Sequence, residues 1–470
     1  MSNLPHLNQH WAGYPARLPL RILQFGGGNF MRAFVDWMVD VLNEEADFNA
    51  SVIVVKPTAN GDYKALRAQD GLFHVLSRGL QDGQRLEQPR LVSCVQQIIH
   101  PYQNWAAFLA TAQLPSLNII TSNTTEAGIQ FDETDRFDDA PPSSFPAKLT
   151  CWLYRRFRYF EGRKDRGCVI LPCELIARNG DQLREAVLQY ASHWGLEEGF
   201  SAWLATSNTF CNTLVDRIVP GYPEDGEQYC RNVLGCEDAL LVAAEPFHLW
   251  AIERQPALEG LFPLERCDTP LQIRLVEDLE RTRLQKVRIL NGLHTIMVAI
   301  GLVHGLSTVA QMAGHKAWGV FLKKVAREYI LPTLPLSAAE AEAYLQATFE
   351  RFLNPFVEHR LHSIALNSIE KFRVRVLPSL LEYEKTSGQA PEELLFVLAC
   401  LLQLYSKEEL AFRDDSEAAQ RLQAYWRERN ENGNGLQSVV NRILADTAVW
   451  GQDLSVFQEL SLKYLQELGR

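Results

Sequence analysis

The apolar run LRILQF (20–25) leads into Gly26-Gly27-Gly28-Asn29-Phe30, then into MRAFVDWMVDVLNEEA (31–46), and a second apolar run, SVIVV, follows at 51–55. Strand, glycine loop, amphipathic helix, strand is a β–α–β unit. Such a unit commits the chain to a parallel sheet with helices on its faces, because a parallel pair needs a long crossover and the crossover helix covers the sheet. LNIITS (117–122) and GCVILP (167–172) read as further strands, ending in the polar loops NTTEAG and CELIARNG. In an open α/β sheet such loops meet at the carboxyl edge, where ligands bind. Between Phe73 and Ile99, FHVLSR, a turn near Asp82-Gly83 and LVSCVQQII predict an inserted hairpin.

Beyond about residue 270 the strand signals fade. Helical periodicity runs to Arg470, with a capping box at Ser337–Glu340 and helices expected over 337–353 and 392–406. The expected organisation is an α/β nucleotide-binding domain over 1–270 and a mostly α-helical domain over 271–470. A chain of 470 residues that is 47% hydrophobic can fill two cores. Its net charge of −11, with no long basic run, excludes nucleic acid as an expected partner. The start, MSNLPHLNQHWAGYP, has no apolar signal core, and no apolar run reaches the roughly 18 residues of a membrane span. The nine cysteines are scattered without a CxxC pair, so no metal site is expected and reduced thiols in the cytoplasm are.

The glycine loop opens a helix, where unpaired N–H groups and the positive dipole end favour a phosphate. Gly26 and Gly28 fit GxGxxG, while Met31 stands at the third glycine. A tight turn without a ligand is the alternative; the strand–loop–helix–strand context favours a dinucleotide at Gly26, Gly27, Gly28, Asn29 and Phe30. Thr58 and Asn123, just past two strand ends, complete the expected cofactor contacts. No acidic residue follows the second strand directly. Lys56-Pro57-Thr58 stands there, with Asp62 a few residues on, so NAD and NADP both stay open.

KVRILNGLH (286–294) puts three polar groups into an apolar run. On an α-helix with Lys286 at zero, Ile289, Leu293 and Leu290 fall at about 300°, 340° and 40°, His294 at about 80° and Asn291 at about 140°. Lys286 and His294 lie inside the apolar arc and Asn291 at its rim. A buried amine can act as general acid or base, an amide can donate to a developing alkoxide, and an imidazole can hold the same oxygen. For each residue alone, a snorkelling lysine, a core histidine or a cap is the commoner role. The three on one face, downstream of a nucleotide-type domain, favour chemistry.

K-x4-N-x2-H resembles the active-site signature of the polyol-specific long-chain dehydrogenases, the mannitol dehydrogenase family. GGGNFMRAF resembles that family's nucleotide loop, TLVDRIVP (213–220) its VDRI segment and EPFHLW (245–250) its EPF-x-x-W segment. Within the family, TSNTTEAGI (121–129) and LPCELIARNG (171–180) are most similar to members acting on keto sugar acids. The resemblance implies a Rossmann-type domain, here with the inserted hairpin, a helical C-terminal domain, a nicotinamide cofactor, taken as NAD, no metal and a small-molecule sugar acid as substrate. It implies Lys286 as general acid/base, Asn291 and His294 on the reacting oxygen, and Asp216 in the substrate site. Two departures from the family pattern stand out, and the first counts against a plain polyol. Leu175 stands where mannitol dehydrogenases carry a second oxyanion asparagine, and the family's D-G-S-[KR] segment is replaced by NSIEKFRVR (367–375). A sugar acid needs a cation for its carboxylate. Of Arg360, His362, Lys371, Arg373 and Arg375, Lys371 matches the family's lysine and is the expected ligand.

Overall fold

In the computed structural model, which describes residues 4–12, 17–124, 128–407, 410, 412–432 and 435–469, strand alternation builds the first core. Strand β1 (Leu20–Phe25) sends Ile22 to one face and Leu23 and Phe25 to the other. Strand β2 (Ser51–Val55) sends Val52 and Val54 one way, Ile53 and Val55 the other, and all five residues are buried. Both faces are covered, so these strands read as continuous apolar runs. Each buried Val or Ile contributes about 1.5–3 kcal/mol.

Ten more strands follow: β3 (Phe73–Gln81), β4 (Gln84–Val92), β5 (Val95–Ile99), β6 (Ile119–Ser122), β7 (Val169–Pro172), β8 (Thr209–Phe210), β9 (Thr213–Asp216), β10 (Val242–Ala244), β11 (Leu249–Glu253) and β12 (Ile273–Val276). The main sheet has the order β5-β2-β1-β6-β7-β8, every pair parallel. Helices Phe145–Tyr159 and Asn179–His193 cover one face and helix 29–46 the other. The predicted hairpin is β3–β4, turning at Asp82 and Gly83, both at positive φ as a tight Asp-Gly turn requires. LVSCVQQII splits: Val92 ends the hairpin, while Val95–Ile99 joins the parallel sheet beside β2.

One expectation changes. Helix 29–46 is not amphipathic towards solvent; Met31 to Leu42 are all buried. Its far side packs on Phe73, Val75, Val242, Ala244, Trp250 and Ile252, from the smaller sheets β10-β3-β4 and β12-β11-β9.

The chain divides into two compact units, Met1–Arg78 with Arg85–Leu279, and Gly79–Gln84 with Glu280–Arg470. Strand β12 falls after Pro270 and within the first. The second is helical. The helix Leu279–Val303, which enters it, is long and apolar enough to cross a membrane by composition, but 67% of its apolar 18-residue stretch is buried, as in the core helix of a globular unit. The capping box is present: Glu340 N donates to Ser337 Oγ (3.3 Å) and Ser337 N to Glu340 Oε2 (3.0 Å). The expected helices are Ala338–Phe352 and Glu392–Tyr405.

Candidate active site

Three strand ends of the first unit are tied together. Gly26 N donates to Val55 O (3.0 Å) and Asn123 N to Phe25 O (3.0 Å). Gly26 has φ +111°, and a Cβ there would meet Asn123 O at 2.9 Å. Gly27 N donates to the Tyr63 hydroxyl (2.8 Å), and a Cβ on Gly27 would meet Val54 Cγ1 at 2.8 Å. A Cβ on Gly28 would meet nothing within 4 Å. The loop is thus fixed on one side and open at the residue that begins the helix, which suits a phosphate on the helix N-terminus. The Asn29 side chain turns to Arg32 (Oδ1–Nη2 2.7 Å), and Phe30 stacks on Phe34 at 4.9 Å. A cavity of about 510 Å³ lies at the ends of β2 and β6, lined by Pro57, Thr58, Thr124, Gln130, Phe131 and Ser144. Thr58 accepts from Lys56 Nζ (2.7 Å), and Asp62 bonds locally to Lys64. These features fit a nicotinamide dinucleotide. Thr125, Glu126 and Ala127 of TSNTTEAGI lie outside the described residues.

Gly26→Ala combines left-handed strain of about 1–3 kcal/mol with a backbone clash. A lowered Tm and NADH affinity weakened about tenfold or more are expected, read by thermal unfolding and fluorescence titration. Gly28→Ala should leave Tm unchanged, since its methyl enters open space. Equal Tm losses in the two variants would contradict this reading of the loop.

Sequence reasoning missed how β7 is held. Glu174, 3% exposed, accepts from Ser122 Oγ (3.0 Å), Thr124 N (2.9 Å) and Thr124 Oγ1 (3.1 Å). Burial pushes its pKa up, against those hydrogen bonds. Leu175, which follows it, is 62% exposed and offers no polar group. Asn179, fully buried, donates to Pro172 O (3.0 Å) and Glu174 O (3.1 Å) and accepts from Thr213 N (2.8 Å). The N-G pair after the strand was the signal available.

Asp216, buried, ends β9 opposite Leu249. Its neighbour Arg217 explains why VDRI and EPF occur together. Arg217 donates to Glu245 O (2.9 Å), Ala33 O (2.5 Å) and Ser77 Oγ (3.0 Å), with the Trp37 ring 4.3 Å away. Burial lowers its pKa to about 9. His248 of EPFHLW lies against Trp37 and accepts from Gln272 N (3.1 Å); burial and the Arg217 charge hold its pKa down at about 3. This tie is structural.

In the second unit, the stretch Lys286–Asn291 is a π-helical turn within the central helix. Hydrogen bonds then run i→i+5, which stacks Lys286 and Asn291 one turn apart on the same face. The α-helix resumes at Gly292, and His294, three residues past Asn291, keeps to that face. The π turn therefore brings Asn291 closer to the Lys286 face than the rim position of an α-helical wheel would. Lys286 and Asn291 are half-buried; His294 is 7% exposed, between the rings of Phe352 (4.7 Å) and His359 (4.9 Å). Gly292 lets Arg375 O approach: a Cβ there would meet it at 3.3 Å.

That approach brings helix Ser368–Arg375 to the same turn. Lys371 donates to Ile364 O (2.7 Å), and Arg375 Nη1 lies 3.5 Å from Thr295 Oγ1, which itself donates to Asn291 O (3.0 Å). Arg360 pairs with Glu358 and Arg373 with Glu370, while His362 is exposed. Among the described residues no cluster of three or more His, Cys, Asp or Glu could hold a metal ion.

The altronate oxidoreductase of Yersinia enterocolitica is 43% identical over 461 residues, 97% of this chain and 95% of its own. That of Bacillus subtilis is 40% identical over 469 residues, 98% of this chain and 96% of its own. Among solved structures, a D-sorbitol dehydrogenase in substrate-free form superposes with TM-score 0.74 at 21% identity, covering 99% of this chain and 97% of its own. Pseudomonas fluorescens mannitol 2-dehydrogenase, in a ternary complex with NAD and D-mannitol, gives 0.64 at 18% identity, covering 96% and 91%. These two speak for the fold, a parallel-sheet Rossmann-type region followed by a mostly helical one. The mannitol dehydrogenase Rossmann domain model matches residues 20–266 and the mannitol dehydrogenase C-terminal domain model residues 278–468, so the chain belongs to the mannitol dehydrogenase family.

Proposed function

We propose that this chain is a metal-independent oxidoreductase of the cytoplasm that uses NAD(H) to interconvert D-tagaturonate and D-altronate. The observation that carries the reading is identity of 40–43% to altronate oxidoreductases along nearly the whole chain. The absence of a polar side chain at Leu175 supports a substrate other than a plain polyol. Nine free cysteines, eight of them buried, suit a reducing compartment.

A nicotinamide held by the glycine loop would supply the hydride for the ketone carbon, and the chain's own residues manage the oxygen. Charge grows on that oxygen during reduction, and the Asn291 amide and His294 imidazole are the groups offered to hold it. Lys286, as ammonium, gives the oxygen its proton; in oxidation the neutral amine removes it. Gly26 to Phe30, Thr58 and Asn123 are the proposed cofactor contacts, and Asp216 and Lys371 the proposed substrate contacts.

The test is a panel of tagaturonate, fructuronate and fructose with NADH and with NADPH, followed at the nicotinamide absorbance. The expected result is kcat/KM for tagaturonate with NADH at least about tenfold above every other pair, a gap of about 1.4 kcal/mol. A preference for fructuronate or fructose would reassign the substrate within the family. Flat traces throughout, alongside measurable NADH binding, would replace the enzyme with a nucleotide-binding protein.

A further inference from the structure

The five cations near the NSIEKFRVR segment are not equivalent. Arg360 and Arg373 each have a carboxylate partner within 3.1 Å, and His362 is exposed. Lys371 and Arg375 are different. They lie four residues apart on helix Ser368–Arg375, so they share a face. Both are half-buried, and burial lowers the pKa of each, with the Arg375 charge lowering Lys371 further. The Asp414 carboxylate is near enough to Lys371 to oppose that shift, but it is engaged by the Tyr405 hydroxyl and by Ser416 Oγ (2.6 Å). Among the described residues Arg375 has no carboxylate partner; its side-chain hydrogen bond is the long one to Thr295 Oγ1. Among the described residues neither Lys371 nor Arg375 has a carboxylate within salt-bridge distance, and two like charges held half-buried side by side become more favourable when an anion joins them.

Their location says which anion. Thr295 is the residue after His294, and its hydroxyl caps the carbonyl of Asn291. The Arg375 carbonyl presses on Gly292, between those two. The guanidinium is therefore anchored to the same helical turn that aligns Lys286, Asn291 and His294. A planar guanidinium binds a carboxylate through two parallel N–H bonds, which fixes orientation as well as charge. We propose that Arg375, seconded by Lys371, seats the carboxylate of the substrate and is the residue that makes this member select a keto sugar acid over an uncharged keto sugar. The assignment rests on the keto-sugar-acid reading given above.

The experiment compares wild type, R375M and R375K with tagaturonate and with the uncharged ketohexose tagatose, using NADH. Altronate binding by calorimetry, with the neutral polyol altritol as control, gives a readout independent of turnover. In R375M the ratio of kcat/KM for tagaturonate to that for tagatose should fall at least about thirtyfold, mostly through KM, and altronate affinity should fall in step while altritol affinity does not. R375K keeps the charge and stem but not the fork, and should recover only part of the ratio, with an unchanged Tm. A ratio unchanged in both variants, or equal losses on both sugars, overturns the anchor while leaving the function intact. A wild-type enzyme that reduces no keto sugar acid overturns the functional reading and takes this assignment with it.

Discussion

Lys286→Ala should lower kcat about 10²–10⁴-fold while NADH binding stays near that of wild type. The size follows from what a positioned acid/base contributes when the proton must arrive as charge develops on the substrate oxygen. The selectivity follows from location. The proposed phosphate cradle, Gly26 to Phe30, belongs to the first unit, whereas Lys286 opens the π turn of the second. Asn291→Ala and His294→Ala should each cost turnover by about 10²–10³, as expected for one donor to a developing oxyanion. The three losses should not add if, as proposed, the residues act on one oxygen. Lys286→Met separates chemistry from packing, since it keeps an unbranched stem along the helix and discards the amine. Near-normal turnover in Lys286→Met would end the acid/base assignment. A large loss in Ala but not in Met would trace the defect to the helix and not to the proton.

What could be read in advance divides along a physical line. Local patterns were legible: the apolar runs of β1 and β2, the Asp82-Gly83 turn and the Ser337–Glu340 cap each depend on neighbours in sequence. The spacing Lys286, Asn291, His294 was legible as a motif, but its geometry was not. A π turn differs from an α turn by the carbonyl to which each N–H donates, and side-chain types do not announce that change. The glycine that admits the Arg375 carbonyl, Gly292, passed unnoticed for the same reason: its partner lies far away in sequence. Helix 29–46 failed in the most instructive way. Arg32, Asp36 and Asp40 recur every four residues and so imitate a solvated stripe. The fold buries that stripe and supplies distant partners. Arg32 donates to Leu240 O, and Asp40 accepts from Arg90 Nε (3.2 Å) and Ser93 N (2.9 Å). Lys371 was favoured for matching a family position, while Arg375 became distinctive only once its charged neighbours could be seen to have other partners.

Asp36, the middle member of that stripe, leads to the second large effect: stability of the wild-type protein should fall relative to Asp36→Asn as pH rises from about 4 to about 7. Asp36 is fully buried, and burial pushes its carboxyl up to about 7. A hydrogen bond from Gln24 Nε2 (3.2 Å) and the Arg32 charge oppose the shift, and Asp40 adds to it. In the unfolded chain the same carboxyl titrates near 3.8. Below that value both states hold the proton and Asp36 contributes no slope. Between the two values the folded state holds a proton that the unfolded state has released, so each unit of rising pH lowers stability by about 1.4 kcal/mol. Above about 7 both states are ionised and the slope vanishes, leaving a cost on the order of a few kcal/mol. Other carboxyls, such as Asp135 and Glu45, are held below their usual range by hydrogen bonds and tilt the profile the opposite way. The raw curve is therefore not the test; the difference between variant and wild type is. Denaturant unfolding at half-unit steps should show Asp36→Asn gaining steadily across this window and level beyond it, and parallel curves would refute the buried-acid account. The same charge reaches the cofactor loop, because the Gln24 Nε2 that donates to Asp36 also donates to Gly26 O (3.1 Å). Ionisation of Asp36 competes for that amide and adds negative charge one hydrogen-bonded residue away from the proposed phosphate loop. NADH affinity should accordingly weaken over the same pH interval in wild type and hold steady in Asp36→Asn.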